Sequence, residues 1–330
     1  GAANAWAPLT ADEDNGLVFI PTSSPSPDFY GGHRHGDNLY SDSLVALDAK
    51  SGERVWHYQF VHHDLWDYDV PAQPILFDYW QGNERIPAVL QLTKQGMLFV
   101  FNRLTGEPLI PIEERPVPNT EVPGEQVSST QPFSTLPPLV RHRVTEYDIW
   151  GLTPIDRWFC QRSFREIRNE GIYTPPGFGR PSMHMPSDAG GSNWGGAGLT
   201  PDNLLLANVI DVAQTLELLP IANLASDDTA KKNAHDYLQM GHVKIRDTDF
   251  AFVKKPWLSP LGIPCVAPPW NKVVAVDLNS GAVRWQAPLG SLHEQGPFPL
   301  PFDINGFGAP GLGSGVVTAG GLFVIAATSD

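Results

Sequence analysis

The segment Val61–Pro71, "VHHDLWDYDVP", gathers two histidines, three aspartates, a tryptophan and a tyrosine into eleven residues. As a zinc site it is weak. His62 and His63 are adjacent and would point to opposite sides of a strand, and no cysteine or further histidine lies at a useful spacing. The carboxylates Asp64, Asp67 and Asp69 suit a hard cation such as Ca²⁺ or Mg²⁺, and one of them suits a general base. A hydrogen-bonded turn capped by aspartate fits the same residues, so chemistry alone leaves both readings open. Lys94, in "QLTKQG", is either a charge stabiliser or an ordinary solvated lysine. "DAGGSNWGGAG", Asp188–Gly198, is glycine-rich. Its spacing is not that of a dinucleotide loop and no helix follows. The glycines suit close backbone approach, with Asn193 and Trp194 presented at the start of a strand, although Trp194 fits a packing role equally well. "NGFGAPGLGSG", Asn305–Gly315, reads as a flexible crossover.

Three segments that must position these residues share one pattern: Val45–Trp56, Phe99–Ile110 and Val274–Trp285. Each is an apolar strand, then Asp or Asn, two residues, Ser/Thr-Gly, and a second strand. The Asp/Asn side chain can bond the turn backbone and Gly accepts positive φ, which makes a tight hairpin. Eight residues after the Asp/Asn stands Trp56, Ile110 or Trp285, implying a fixed packing socket. Outer strands precede each hairpin, at Gly16–Ile20, Ile86–Gln91 and Asn203–Asn208. Gly315–Ala327 supplies two more. Four-stranded units repeated along a chain predict an all-β fold, a β-propeller. The repeated turn and tryptophan argue against a β-sandwich of similar strands. The expected blades span about 1–60, 67–112 and 193–288, with the start of another at 311–330. Long insertions lie at 113–190 and 215–268, the first holding a helix near Ile155–Glu170. Three and a half blades cannot close a ring, and the chain opens at Gly1 directly into a strand-like stretch. Both lead to the expectation of a piece of a longer protein.

The 330 residues carry 22 Lys+Arg against 36 Asp+Glu, a net charge of −14, and 42% of them are hydrophobic. The composition is that of a globular chain, and without a basic patch it excludes nucleic acid as the expected partner. Gly 31 and Pro 32 favour many turns and short strands. No apolar run reaches the roughly 18 residues of a membrane span. Cys160 and Cys265 leave open one long-range disulfide or two buried thiols.

"VHHDLWDYDVPAQP", "QLTKQGMLFVFNRLTGEPL", "EGIYTPP", "GGSNWGG" and "SPLGIPC", in this order, closely resemble the membrane-bound quinoprotein dehydrogenases that use pyrroloquinoline quinone (PQQ). That branch includes the glucose, quinate and polyol enzymes, and the similarity runs over essentially the whole chain. It implies an eight-bladed propeller with tryptophan docking motifs, PQQ with Ca²⁺ or Mg²⁺, and a sugar or polyol substrate. It further implies ubiquinone as electron acceptor, and a periplasmic location on the bacterial inner membrane through an N-terminal anchor outside this chain. Asp67 matches the catalytic base and a metal ligand. Lys94 matches the cation that contacts the quinone oxygens, and Asn193 and Trp194 match a pair lining the cofactor site. Asp69 matches a position that adds a lanthanide ligand in related alcohol dehydrogenases. The sugar branch carries an acid there too, so no lanthanide is inferred. One departure stands out: Ser23-Ser24 replaces the family's usual Gly-Asn, so Ser24, a shorter and weaker ligand, occupies the place of a metal-binding amide.

The implied reaction has the cation polarise the quinone while Asp67 takes the substrate hydroxyl proton and hydride passes to the cofactor. Lys94 would stabilise the negative charge that develops. Glucose to gluconolactone is the first expectation, with quinate/shikimate or glycerol-type polyols behind it. A soluble alcohol dehydrogenase passing electrons to a cytochrome fits these motifs less well. A non-catalytic propeller scaffold would need no Asp67, Lys94 and Asn193 set. The isolated 330-residue chain is expected to be inactive and poorly closed.

Overall fold

The computed structural model describes residues 3–224, 241–291, 306–313 and 315–326. Within them the repeated turn forms three times, each time with a side-chain oxygen accepting from the backbone N–H two residues on. Asp48 Oδ1 accepts from the backbone N–H of Lys50 and Ser51, at 3.0 and 2.7 Å. Asn102 Oδ1 accepts from Leu104 N at 2.9 Å, and Asp277 Oδ1 from Asn279 N at 2.9 Å. Each turn closes on a glycine, Gly52, Gly106 or Gly281, with φ between 71 and 76°, a region open to glycine at no steric cost.

These turns join strands into antiparallel sheets. The first sheet is β1 (Thr10–Asp12), β2 (Leu17–Pro21), β3 (Ser43–Asp48) and β4 (Arg54–Gln59), in that order. The second is β5 (Ile75–Gln81), β6 (Glu84–Leu92) and β7 (Leu98–Asn102). Its expected fourth strand is reduced to a single bridge, Phe101 to Pro108. Two prolines within Glu107–Pro111 withhold backbone donors, so a full ladder cannot form there. A hairpin of β8 (Ile112–Pro116) and β9 (Thr130–Ser134) follows, then the helix α1 (Pro154–Phe164).

The remaining strands interleave two sheets. β10 (Gly177–Phe178) and β11 (Ser182–His184) precede β12 (Ala197–Leu199) and β13 (Leu204–Ile210). β14 (Gln214–Pro220), β15 (Val243–Lys244) and β16 (Phe250–Pro256) come next, and β17 (Asn271–Asp277) and β18 (Ala282–Pro288) close the series. β12, β13, β17 and β18 form the third repeat sheet. β10, β11, β14, β15 and β16 form a separate sheet built wholly from the insertions. β19 (Gly315–Val317) and β20 (Phe323–Ile325) pair alone. Asn305, Ser314, Ala327 and the middle of the second insertion, 225–240, lie outside the described residues.

Packing follows from alternation. β2 buries Leu17, Phe19 and Pro21 and turns the residues between them outward, the period of a half-buried strand. Phe19, Leu44 and Trp56 of the first sheet share a core with Val89, Phe99 and Phe101 of the second. The second sheet's other face packs Phe77, Leu90 and Val100 on Leu205, Val209 and Val274 of the third. Trp56 lies in a socket of the next sheet. Its Nε1 donates to Arg103 O at 3.0 Å, and a Cβ on Gly106 would fall 2.7 Å from its ring. Arg103 also pairs with buried Asp12 at 2.8 Å. Sheet thus docks on sheet in sequence order, an open series among the described residues.

The helix expected near Ile155–Glu170 is shorter. Thr153 caps it, its Oγ1 accepting from Asp156 N at 3.1 Å, and Arg165 ends it. Arg168 N then donates to Pro181 O at 2.9 Å, which draws the chain off the helical path. Cys160, on the helix, forms a disulfide with Cys265 across 105 residues and fastens one insertion to the other. No helix among the described residues is long and apolar enough to cross a membrane.

Candidate active site

Asp64 builds the platform. Its Oδ1 accepts from Trp66 N and its Oδ2 from Tyr68 N, both at 2.9 Å, which folds Asp64–Tyr68 into a tight turn. Two fully buried aromatics clamp the turn from below. Trp66 Nε1 donates to Thr174 O and Tyr68 OH to Pro186 O, each at 2.7 Å. Asp67 stands at the crest with φ 58°, a left-handed conformation uncommon for a side-chain residue and one that clusters at functional sites. The sequence left the aspartates open between turn cap and chemistry; the fold divides them. Asp64 is the cap, and Asp67 is presented outward with 28% of its side chain exposed.

Lys94 is no solvated lysine. Only 6% exposed, it aims its ammonium at this turn. Nζ donates to Asp67 O at 2.7 Å and lies 2.7 Å from Asp69 Oδ1 and 3.3 Å from Asp67 Oδ2. Asp69, 3% exposed, is held on its other oxygen by Trp6 Nε1 at 2.7 Å. Ser24 Oγ donates to Asp67 Oδ1 at 3.0 Å. Four residues from three separated segments therefore converge: Ser24, Asp67, Asp69 and Lys94.

Electrostatics follow from this crowding. Burial pushes the Asp67 carboxyl up to about 7; Lys94 pulls it down, and Asp69, Asp28 and Asp188 push it up again. Burial disfavours the charge on Lys94, but Asp67, Asp69 and Asp188 outweigh it and hold the ammonium more firmly than in water. A proton acceptor near neutrality beside a permanent cation is an arrangement suited to general-base work.

Asn193 and Trp194 reach the neighbourhood through their loop rather than by contact. Gly191 N donates to Lys94 O at 2.6 Å, and a Cβ on Gly190 would press on the Lys94 stem at 2.6 Å, so the glycines allow the close approach expected of them. Asn193 Nδ2 donates to Ala189 O at 2.7 Å and its Oδ1 accepts from Trp194 N at 2.7 Å. Among the described residues neither side chain bonds Asp67, Asp69 or Lys94. Trp194 is 48% exposed, so it is not the packing residue that the sequence also allowed.

His62 and His63 face different partners, and neither faces Asp67. His62 contacts Gln59 and Glu114, whereas His63 lies buried 3.2 Å from Glu125, its Nδ1 2.7 Å from Gly36 O. Among the described residues no three carboxylate, histidine or cysteine side chains converge to hold a metal by themselves. Sequence reasoning passed over Trp6, Asp28, Asp42 and Lys254. Lys254, on β16, forms an ion pair with Asp188, which stood unremarked at the head of the glycine-rich run.

A family model for the β-propeller domain of glucose/ethanol/alcohol dehydrogenases, the PQQ group, matches residues 1–330. The chain belongs to this family. Among curated proteins it is 39% identical to a probable quinate dehydrogenase (quinone) of Xanthomonas campestris pv. juglandis, over 99% of this chain and 42% of that protein. It is 36% identical to quinoprotein glucose dehydrogenase A of Acinetobacter calcoaceticus, over 99% of this chain and 41% of that protein. Among solved structures, a quinohemoprotein alcohol dehydrogenase from Comamonas testosteroni superposes with a TM-score of 0.57. At 19% identity it covers 98% of this chain and 38% of its own, and the likeness shows the propeller fold. The chain thus spans about two-fifths of the length of the curated relatives it matches.

Proposed function

We propose that the whole protein is a PQQ-dependent dehydrogenase that oxidises a hydroxyl of a sugar or polyol. Glucose to gluconolactone is the first reading, and quinate/shikimate or glycerol-type polyols are the next. Ubiquinone would take the electrons, at the periplasmic face of the bacterial inner membrane, through an anchor outside this chain. Family membership and the names of the relatives support the class of reaction. The observation that carries it is the convergence of Asp67 and Lys94, with Ser24 and Asp69 holding each in place. A propeller used only as a scaffold has no call for a buried ammonium between two carboxylates.

The donor set fits a quinone cofactor with a hard cation. Asp28, Asp67, Asp69 and Asp188 act on one another around Lys94, an excess of negative charge that a divalent cation would offset. Ser24 Oγ and Asp67 Oδ1, 3.0 Å apart, are two hard oxygens able to share such an ion, Ca²⁺ or Mg²⁺, with Asp69 close by. Further oxygens must come from the cofactor and from chain outside the described residues. The half-exposed indole of Trp194 and the amide of Asn193 would line the cofactor. Bound PQQ supplies the two-electron acceptor. Asp67 would take the hydroxyl proton on its carboxylate, which Ser24 orients through Oδ1. Lys94, fixed by Asp69 and by the Asp67 carbonyl, would place positive charge where negative charge grows.

The test is Asp67→Asn in the full-length protein. Asparagine tolerates φ near 58°, so the turn survives and only the proton acceptor is lost. Dye-linked turnover with PQQ and Ca²⁺ or Mg²⁺ should vanish while PQQ binding persists. Undiminished turnover would remove Asp67 from the role.

A further inference from the structure

Helix α1 has two faces of opposite character. Its inner stripe holds the two insertions together. Asp156 and Cys160 are buried, Cys160 is bonded to Cys265, and Ser163 Oγ accepts from Trp257 Nε1 at 3.0 Å. Its outer stripe is apolar yet open to solvent: Ile155 is 71% exposed, Trp158 51% and Phe159 42%. Spacings of three and four residues put these side chains beside one another on a helix. Leu152, just before the helix, is also exposed. Single exposed apolar residues need no explanation, but a contiguous cluster on one helix does.

Charge identifies what would cover it. The chain as a whole is at −14, yet residues 141–168 hold six arginines and four acids. Arg157, Arg162 and Arg165 are exposed on and just after the helix, and the Arg162 guanidinium lies 5.9 Å from the centre of the Trp158 ring. Of the helix's own residues only Asp156 is acidic, and it is turned inward, its Oδ2 accepting from Leu152 N at 3.1 Å. Glu166, just after the helix, is exposed, so three exposed arginines stand against one exposed acid. A helix with tryptophan, phenylalanine and isoleucine on one side and arginines flanking them has the composition of a segment that lies in a lipid interface. The rings sit among the headgroups and the guanidinium groups reach the phosphates. A uniformly acidic protein would be repelled from an anionic surface, so a local basic rim also sets which side approaches.

We propose that the outer face of α1 docks on an anionic phospholipid surface, the disulfide holding the helix against the second insertion as it does so. The contact is separate from any anchor elsewhere in the polypeptide and does not depend on the dehydrogenase reading. Hydroxyl-radical footprinting of the full-length protein tests it, in detergent, in phosphatidylcholine vesicles and in vesicles containing phosphatidylglycerol. Oxidation at Trp158 and Phe159 should be rapid in detergent and fall severalfold with phosphatidylglycerol, with a smaller fall in phosphatidylcholine. Arg157→Gln/Arg162→Gln/Arg165→Gln should lose the extra protection given by phosphatidylglycerol, with dye-linked turnover unchanged. Equal oxidation in all three conditions would overturn the proposal. So would protection already present in detergent, which would mean another protein segment covers the face. Equal protection in both lipids, or full protection of the triple variant, would refute the anionic specificity.

Discussion

Replacing Lys94 by methionine keeps an apolar stem of similar length and removes only the ammonium. Its three contacts, with Asp67 O, Asp69 Oδ1 and Asp67 Oδ2, are then lost together. Asp69 has 4% of its side chain exposed and would keep only the Trp6 indole as a partner. Removing one member of a buried ion pair costs about 3–5 kcal/mol, because the remaining charge is left in a poor solvent. The Asp67 carbonyl, left without its donor, adds about 1 kcal/mol. The 28% exposed Asp67 carboxylate adds little, since water reaches it. The expected loss is about 4–6 kcal/mol, a large part of a typical domain's total of about 5–15 kcal/mol. Urea unfolding of the full-length protein, read as a fall in midpoint at constant slope, measures it. Because the Lys94 pKa is raised in the fold, its stabilisation is fully present below the ordinary lysine value of 10.5 and lost only as pH rises through the raised one. The Lys94 charge is therefore constant from pH 6 to 9, and the loss on substitution should rise modestly across that window as the Asp67 carboxyl, at about 7, ionises without its cation. Lys94→Met/Asp69→Asn removes the stranded charge and should recover more than half. A cost below about 1 kcal/mol for the single variant, or a double variant less stable than the single, would refute the view that Lys94 holds this turn.

Asp42 is fully buried, and burial together with Asp64 raises its pKa well above the ordinary value against a smaller opposing pull from Ser41. Ionising it opposes folding, so Asp42→Asn should stabilise the protein at pH 7, with a gain that shrinks toward pH 4; an equal gain at both pH values would count against this. Burial holds His184 down to about 4. Stability should therefore fall between pH 6.5 and 4 by up to about 3 kcal/mol through this group, and a pH–stability profile of His184→Gln should be correspondingly flatter. Trp56→Ala empties the socket between the first two sheets and should cost about 3–5 kcal/mol in urea unfolding, whereas Trp56→Phe should cost less than half of that.

Much of the fold was legible because its code is local. The turn of Asp48–Gly52 and its two copies needs only an acceptor side chain and a glycine a few residues on, and both are present in the sequence. Alternation in β2 follows from period two, and the socket expected for the repeated large residue forms around Trp56, whereas Trp285 is 45% exposed. Proline after Gly106 explains why the second repeat forms three full strands and a bridge. The helix's end was not legible, because a bond to Pro181, distant in sequence, draws the chain away. Nor was the insertion sheet, whose strands β11, β14 and β16 pair across dozens of residues.

At the site, the sequence by itself determined which residue types were available. It supplied the aspartates of "HHDLWDYD", a lysine between threonine and glutamine, and glycines that let a backbone come close. Only the tertiary structure decided their roles. Three aspartates of one short segment share composition and neighbours, yet one caps a turn, one is turned outward at φ 58° and one is buried under an ammonium. Those differences arise from Trp6, Ser24, Lys94, Thr174 and Pro186, which lie up to 118 residues from their partners and reach the turn only when sheets and insertions pack. A carboxylate's chemistry is set by how much water it loses and which charges face it, and both are properties of the packed chain.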